Sequence, residues 1–125
     1  MKIHYFITLF IASLLAGCAA NNNQYYWGQY ENLIYKTYQS PGELTSDAQI
    51  DILQTDIEMA EAEGKPIPPG IYAHLGLIHA ASGHKDLALA ALTKEKELYP
   101  ESVTFIDGLI SRSLTTIQGA DNVKK

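Results

Sequence analysis

The side chains that could carry chemistry are few and scattered. Three histidines, His74, His79 and His84, are spaced five apart, a step that turns each about 140° from the last on a helix and so does not gather them as zinc ligands. Serine, histidine and aspartate all occur, but in no order that gives a nucleophile elbow or a pair of working carboxylates. Gly42, Gly64, Gly70, Gly76 and Gly83 punctuate helical stretches and do not compose a phosphate loop. Asp47, Asp51, Asp56, Glu58, Glu61 and Glu63 are spread around one helix without the loop spacing that calcium needs, so they read as a solvated acidic face. No catalytic residue, metal site or small-molecule substrate follows, and the chain reads as a binding protein and not an enzyme. The residue with distinct chemistry is Cys18, the sole cysteine of the chain, which excludes an internal disulfide.

The context of Cys18 gives that thiol a purpose. Lys2 is followed by an apolar run from Tyr5 to Leu15, interrupted only by Thr8 and Ser13, and then by Leu15, Ala16, Gly17 and Cys18. The run is short for a transmembrane span, and small residues precede the cysteine as they do at secretory cleavage sites. The tetrad resembles the lipobox of bacterial lipoproteins. That resemblance implies a signal peptide over 1–17, thioether attachment of diacylglycerol to Cys18 and acylation of the new amino terminus by a fatty acid such as palmitate. It implies no other cofactor. Several acyl chains hold a protein on a membrane, whereas one chain gives marginal, reversible binding at about 0.8 kcal/mol per buried methylene. Ala19 follows the cysteine in place of the aspartate that retains enteric lipoproteins at the inner membrane, which implies an outer-membrane destination facing the periplasm. The alternative is a soluble secreted protein with a stray thiol.

Removing 1–17 takes the formal charge from −5 to −6, because Lys2 is the only formally charged residue lost. Acidity of this size argues against nucleic acid as a partner. A mature chain near 100 residues can bury about two thirds of its unfolded surface, enough for one domain. Residues 18–24 form a polar tether, residues 25–118 the helical domain and residues 119–125 a flexible tail.

The elements that must position any functional surface begin with an aromatic stretch. Tyr25, Tyr26, Trp27, Tyr30, Tyr35 and Tyr38 fall within fourteen residues, and on a helix Trp27, Tyr30, Ile34 and Tyr38 would share a face widened by Tyr26 and Leu33. That face either docks on the next helix, with Trp27 and Ile34 buried, or survives as a partner patch with Tyr25 or Tyr35 at its rim. Ser40, Pro41 and Gly42 end this helix. Thr45 or Ser46 caps the next, with Gln49 as capping-box partner of Ser46. Ile50, Leu53, Ile57 and Ala60 make its buried stripe up to about Glu63.

From Pro69 to Ser102 the chain reads as a helical hairpin. Tyr72, Leu75, Ile78 and His79 recur at helical spacing, Ser82 to His84 interrupt, and Ala88, Ala91, Leu92, Glu95 and Leu98 resume before Pro100. Val103, Ile106, Leu109 or Ile110, Leu114 and Ile117 form the stripe of a last helix capped by Ser102. The hairpin resembles a tetratricopeptide (TPR) repeat, whose period is about 34 residues. Tyr72 stands at the large aromatic of that pattern, Leu75 and Gly76 at its leucine and small residue, Ala88 at the small residue of the second helix and Pro100 at the closing proline. Gly76 and Ala88 lack bulk, so the backbones can approach while Tyr72 and Leu92 fill the wedge. His79 replaces an aromatic and Glu95 an alanine, which predicts a looser contact with whatever follows. The expected fold is an all-α, short TPR-like array of about five helices.

The mature chain also resembles a family of small, uncharacterised bacterial lipoproteins in which a segment like Tyr26-Trp27-Gly28 precedes a TPR-like unit. Those proteins carry a domain-of-unknown-function label, and their genes often neighbour lipoproteins related to the curli secretion channel. The resemblance implies an adapter that binds another envelope protein, such as a curli-channel-like lipoprotein, as an accessory of an outer-membrane or secretion-type complex. A pilotin-like assembly factor is the second expectation, and a small cell-wall-binding protein or hydrolase a remote third. Tyr30, Tyr35, Tyr72 and His79 are the candidate partner-binding residues, because first helices line the concave face of such arrays.

Overall fold

The computed structural model describes residues 24–112. The signal peptide 1–17 with Leu15, Ala16 and Gly17, the anchor Cys18, most of the 18–24 tether, Leu114 and Ile117 of the last stripe, and the 119–125 tail lie outside the described residues.

Within the described residues the chain is all-helical, with no strand. Helices α1 (Tyr30–Gln39), α2 (Ser46–Ala62), α3 (Ile71–Ala81) and α4 (Lys85–Leu98) follow one another. A 3₁₀ turn (Pro100–Ser102) leads into α5, which occupies 103–112 of the described residues. Consecutive helices joined by short turns must run antiparallel, so α1 with α2 and α3 with α4 make two hairpins, and α5 follows the second.

α3 lies between two apolar layers. Its sequence, IYAHLGLIHAA, is apolar nearly all round, the pattern of a helix covered on more than one side. Ile71, Leu75 and Ile78 join Leu33 of α1, Ile50 and Leu53 of α2 and Ala91 of α4 in one core. Ala73 joins Leu92 of α4 and Ile106 of α5 in a second. Ile106 is fully buried against Leu92 and Ala73, so α5 covers the second hairpin at this point.

The α3–α4 crossing is where the small residues matter. A Cβ built on Gly76 would stand 2.7 Å from Leu92 Cγ and 3.1 Å from the Ala88 carbonyl oxygen. Leu92 therefore lies directly over the bare backbone of Gly76, the close approach expected from Gly76 and Ala88.

The aromatic helix differs from expectation. Gly28 holds φ +46°, outside the helical region, so α1 starts at Tyr30 and Trp27 stays outside it, 37% exposed. The one fully buried residue of α1 is Leu33, from the widened edge of the expected face, while Tyr38 is 79% exposed. At α2, Thr45 is the cap, accepting from Ala48 N at 3.2 Å, while Gln49 Nε2 donates to the Leu44 carbonyl and makes no capping box with Ser46.

Candidate functional site

Three helices lack a side-chain cap of their own, α4 behind His84 among them, and two of these are met by a carboxylate from elsewhere. Neither Gln29, ahead of α1, nor Gly70, ahead of α3, offers a side-chain hydrogen bond to the first turn, whose N–H groups would otherwise go unpaired. At both helix starts a carboxylate from the other helix of the hairpin takes up the N–H of the cap residue, and at α3 a first-turn N–H as well. Asp56 of α2 accepts from Gln29 N through both oxygens, at 3.0 and 2.9 Å. Glu95 of α4 accepts from Gly70 N at 2.7 Å and from Ala73 N at 3.3 Å. Negative charge at a helix N-terminus is stabilised by the helix dipole as well as by the hydrogen bonds.

Both carboxylates are buried, Asp56 4% and Glu95 2% exposed. Asp56 therefore does not belong to the solvated acidic face on which the helical pattern placed it. Burial pushes its carboxyl above the ordinary carboxylate range, while the N–H groups of Gln29 and Tyr30 pull in the opposite direction. Gly28 explains the glycine of the Tyr26-Trp27-Gly28 segment: a Cβ there would overlap the Asp56 carboxyl.

These contacts gather one end of the bundle. Tyr26 N donates to the Pro66 carbonyl at 3.0 Å, and the Tyr99 hydroxyl donates to the Ile67 carbonyl. The segment before α1, the loop between α2 and α3 and the end of α4 are thus pinned together. Between them lies an open cleft of 490 Å³ lined by Tyr25, Pro66, Ile67, Tyr72, Leu98 and Tyr99 among others. A neighbouring cleft of 480 Å³ carries Tyr25, Tyr26, Trp27, Glu31, Glu63 and Lys65. Burial and then the Glu61 charge raise the Tyr72 hydroxyl above the usual tyrosine range. Burial, with Tyr25, Glu95 and Glu101, does the same for Tyr99. Both stay neutral at physiological pH; the Tyr99 proton is committed to the Ile67 carbonyl, and the Tyr72 hydroxyl can donate into the cleft.

The four candidate partner-binding residues separate. Tyr72 lines the cleft. Tyr30 is half-buried, its ring edge-on to His74 at 5.8 Å and tilted against Trp27 at 6.4 Å, so most of its face is committed to packing. Tyr35 is 62% exposed on the outer side of α1, three residues from Tyr38. His79 is only 5% exposed and is withdrawn from any surface. It packs towards His84 with ring centroids 5.8 Å apart. That approach escaped the helical-rotation argument because His84 lies beyond the end of α3, where the turn folds it back and its N–H donates to the His79 carbonyl.

Burial lowers the pKa of His74, and burial with the His84 charge lowers that of His79; the Nδ1 atoms of His74 and His79 have no hydrogen-bond partner. Among the described residues no three histidine, cysteine or carboxylate side chains are grouped to hold a metal, and no helix is long and apolar enough to cross a membrane. Tyr99, Asp56 and Glu95 carry roles at this end that spacing alone did not assign.

The class that this geometry defines is a helical scaffold whose hairpins are locked by interior carboxylates. The chain belongs to the family described as Domain of unknown function (DUF4810), which matches residues 24–109. No curated protein and no solved structure shows significant similarity to it.

Proposed function

We propose that this protein is a lipid-anchored, TPR-like interaction adapter of the bacterial cell envelope, held at the outer membrane through Cys18 and facing the periplasm. It acts by contact and not by turnover. The single observation that carries the adapter role is the pair Tyr35 and Tyr38, 62% and 79% exposed on one face of α1. Two large aromatics at i and i+3 form a contiguous patch, and tyrosine is enriched in protein interfaces because it offers apolar area and a hydroxyl together. The TPR-like character is supported by the Gly76–Leu92 crossing. The partner is another envelope protein, with a curli-channel-like lipoprotein the first to test.

A photo-crosslinking amino acid placed at Tyr35 or Tyr38 in intact cells, followed by mass spectrometry, tests this role. One recurrent envelope-protein adduct from both positions is the expected outcome. No adduct from either position, with the protein present at its normal level in the membrane fraction, would remove the adapter role.

A further inference from the structure

The end of the bundle that holds the aromatic clefts is also the end from which the lipid tether leaves. Tyr26 is fixed to Pro66 and Gln29 to Asp56, so the stretch that joins Cys18 to the bundle ends no later than Tyr25. Between Cys18 and Tyr25 there are seven Cα–Cα steps, a span of at most roughly 25 Å when fully extended. A lipid on Cys18 thus keeps this end of the domain within about the length of one helix from the headgroups, whatever path the tether takes.

What this end offers is unusual for a surface facing water. Tyr25, Tyr26, Trp27, Tyr72 and Tyr99 line the two adjoining clefts, and Leu98 stands 43% exposed beside them. Trp27 is 37% exposed. Tryptophan and tyrosine concentrate at the membrane–water interface, where the ring is accommodated among headgroups and the N–H or O–H stays hydrated. The charged residues around the clefts nearly balance, Glu31, Glu61 and Glu63 against Lys65 and Lys94. This composition suits a zwitterionic surface and gives no attraction to an anionic one.

We infer that the Tyr25–Trp27, Leu98 and Tyr99 end of the bundle is a docking face for the phospholipid interface in which the protein's own lipid sits. The inference rests on the lipid anchor proposed above and adds a second contact to it. A contact too weak to hold the free domain becomes occupied when the tether confines it, because effective concentrations on short tethers reach the millimolar range. Docking there fixes the long axis of the bundle relative to the membrane. α1 leads away from this end, so the Tyr35 and Tyr38 patch is carried outward.

Trp27 is the only tryptophan in the chain, which makes the face directly readable. The protein is purified from membranes, its acylation is read by intact mass, and it is reconstituted in phosphatidylethanolamine–phosphatidylcholine vesicles with and without brominated lipid. Expected are a blue-shifted Trp27 emission, roughly twofold quenching by brominated chains and reduced quenching by acrylamide, all unchanged by added phosphatidylglycerol. Leu98→Glu, at an exposed position, should weaken the quenching while leaving the helical circular dichroism intact. Trp27 emission that is the same in brominated and plain vesicles, with full acrylamide access, would overturn the inference. Protection of Trp27 only when an envelope protein extract is added would assign the face to a protein and overturn it equally. If the mass shows a bare thiol, the anchor proposal fails on its own; a maleimide phospholipid coupled to Cys18 then supplies the tether, and the same emission decides the face.

Discussion

Replacing Gly76 with alanine isolates the closest approach in the fold. The new Cβ would stand 2.7 Å from Leu92 Cγ, 3.0 Å from Leu92 Cδ2 and 3.1 Å from the Ala88 carbonyl oxygen. Leu92 is 1% exposed and the first of these atoms is its branch carbon, while the oxygen belongs to the α4 backbone. Neither gives way as the tip of a flexible side chain would. Two effects oppose each other. Alanine in a helix interior is favoured over glycine by about 1 kcal/mol, whereas forcing a methyl into a filled core costs about 1–3 kcal/mol. Overlap on two sides, one of them backbone, places the steric cost in the upper part of that range, so the net effect is a loss of about 1 kcal/mol.

Gly108 provides the control. It also lies in a helix, but the nearest atom to its Cβ would be Arg112 Nη2 at 3.7 Å, an ordinary contact. Gly108→Ala should therefore keep only the propensity gain. For a domain of this size about 1 kcal/mol moves Tm by roughly 4–8 °C. Thermal unfolding followed by far-ultraviolet circular dichroism should show Gly76→Ala lowering Tm by that amount, Gly108→Ala raising it by up to as much, and Gly76→Leu lowering it further. A cycle with Leu92→Ala should show coupling of about 1 kcal/mol, since the smaller side chain makes room for the methyl. If Gly76→Ala matched Gly108→Ala in sign and size, the close crossing of α3 and α4 would be refuted.

Asp56→Ala strands the Gln29 N–H ahead of α1 and should cost about 1–3 kcal/mol in chemical denaturation, with Asp56→Asn costing less because one acceptor survives; equal losses would deny the capping role. Glu95→Ala should loosen the start of α3, seen as faster amide exchange at Gly70 and Ala73, and unchanged exchange there would contradict the bonds that Glu95 makes. The pKa values of His74 and His79 are lowered from 6.5 by burial, so the unfolded chain takes up protons first as the pH falls. Their contribution to stability is present above pH 6.5 and is lost as the pH falls below it towards the lowered folded-state values; a denaturation midpoint that does not fall on acidification below 6.5 would contradict it. Cys18→Ala should abolish fatty-acid labelling and release the protein from membranes, and persistent labelling would sink the anchor.

The sequence by itself determined the helical hairpin from Ile71 to Leu98, because the apolar spacing, the break at Ser82–His84 and Pro100 are local signals. It also located the Gly76 crossing, since the absence of a side chain opposite a small residue has one economical use. Within the expected aromatic face, Leu33 took the burial expected of Trp27, because the positive φ at Gly28 leaves Trp27 outside α1. Only the tertiary structure decided the fates of Asp56 and Glu95. A carboxylate on a helix looks solvated until the chain returns, 27 residues away for Asp56 and 25 for Glu95, to bring uncapped N–H groups against it. The same holds for the aromatic end of the bundle, where Tyr25, Tyr72 and Tyr99 converge from three separate stretches. Helical periodicity states which residues share a face of one helix; which helix ends meet in space is fixed by how the hairpins pack, and that information is not local to any of them.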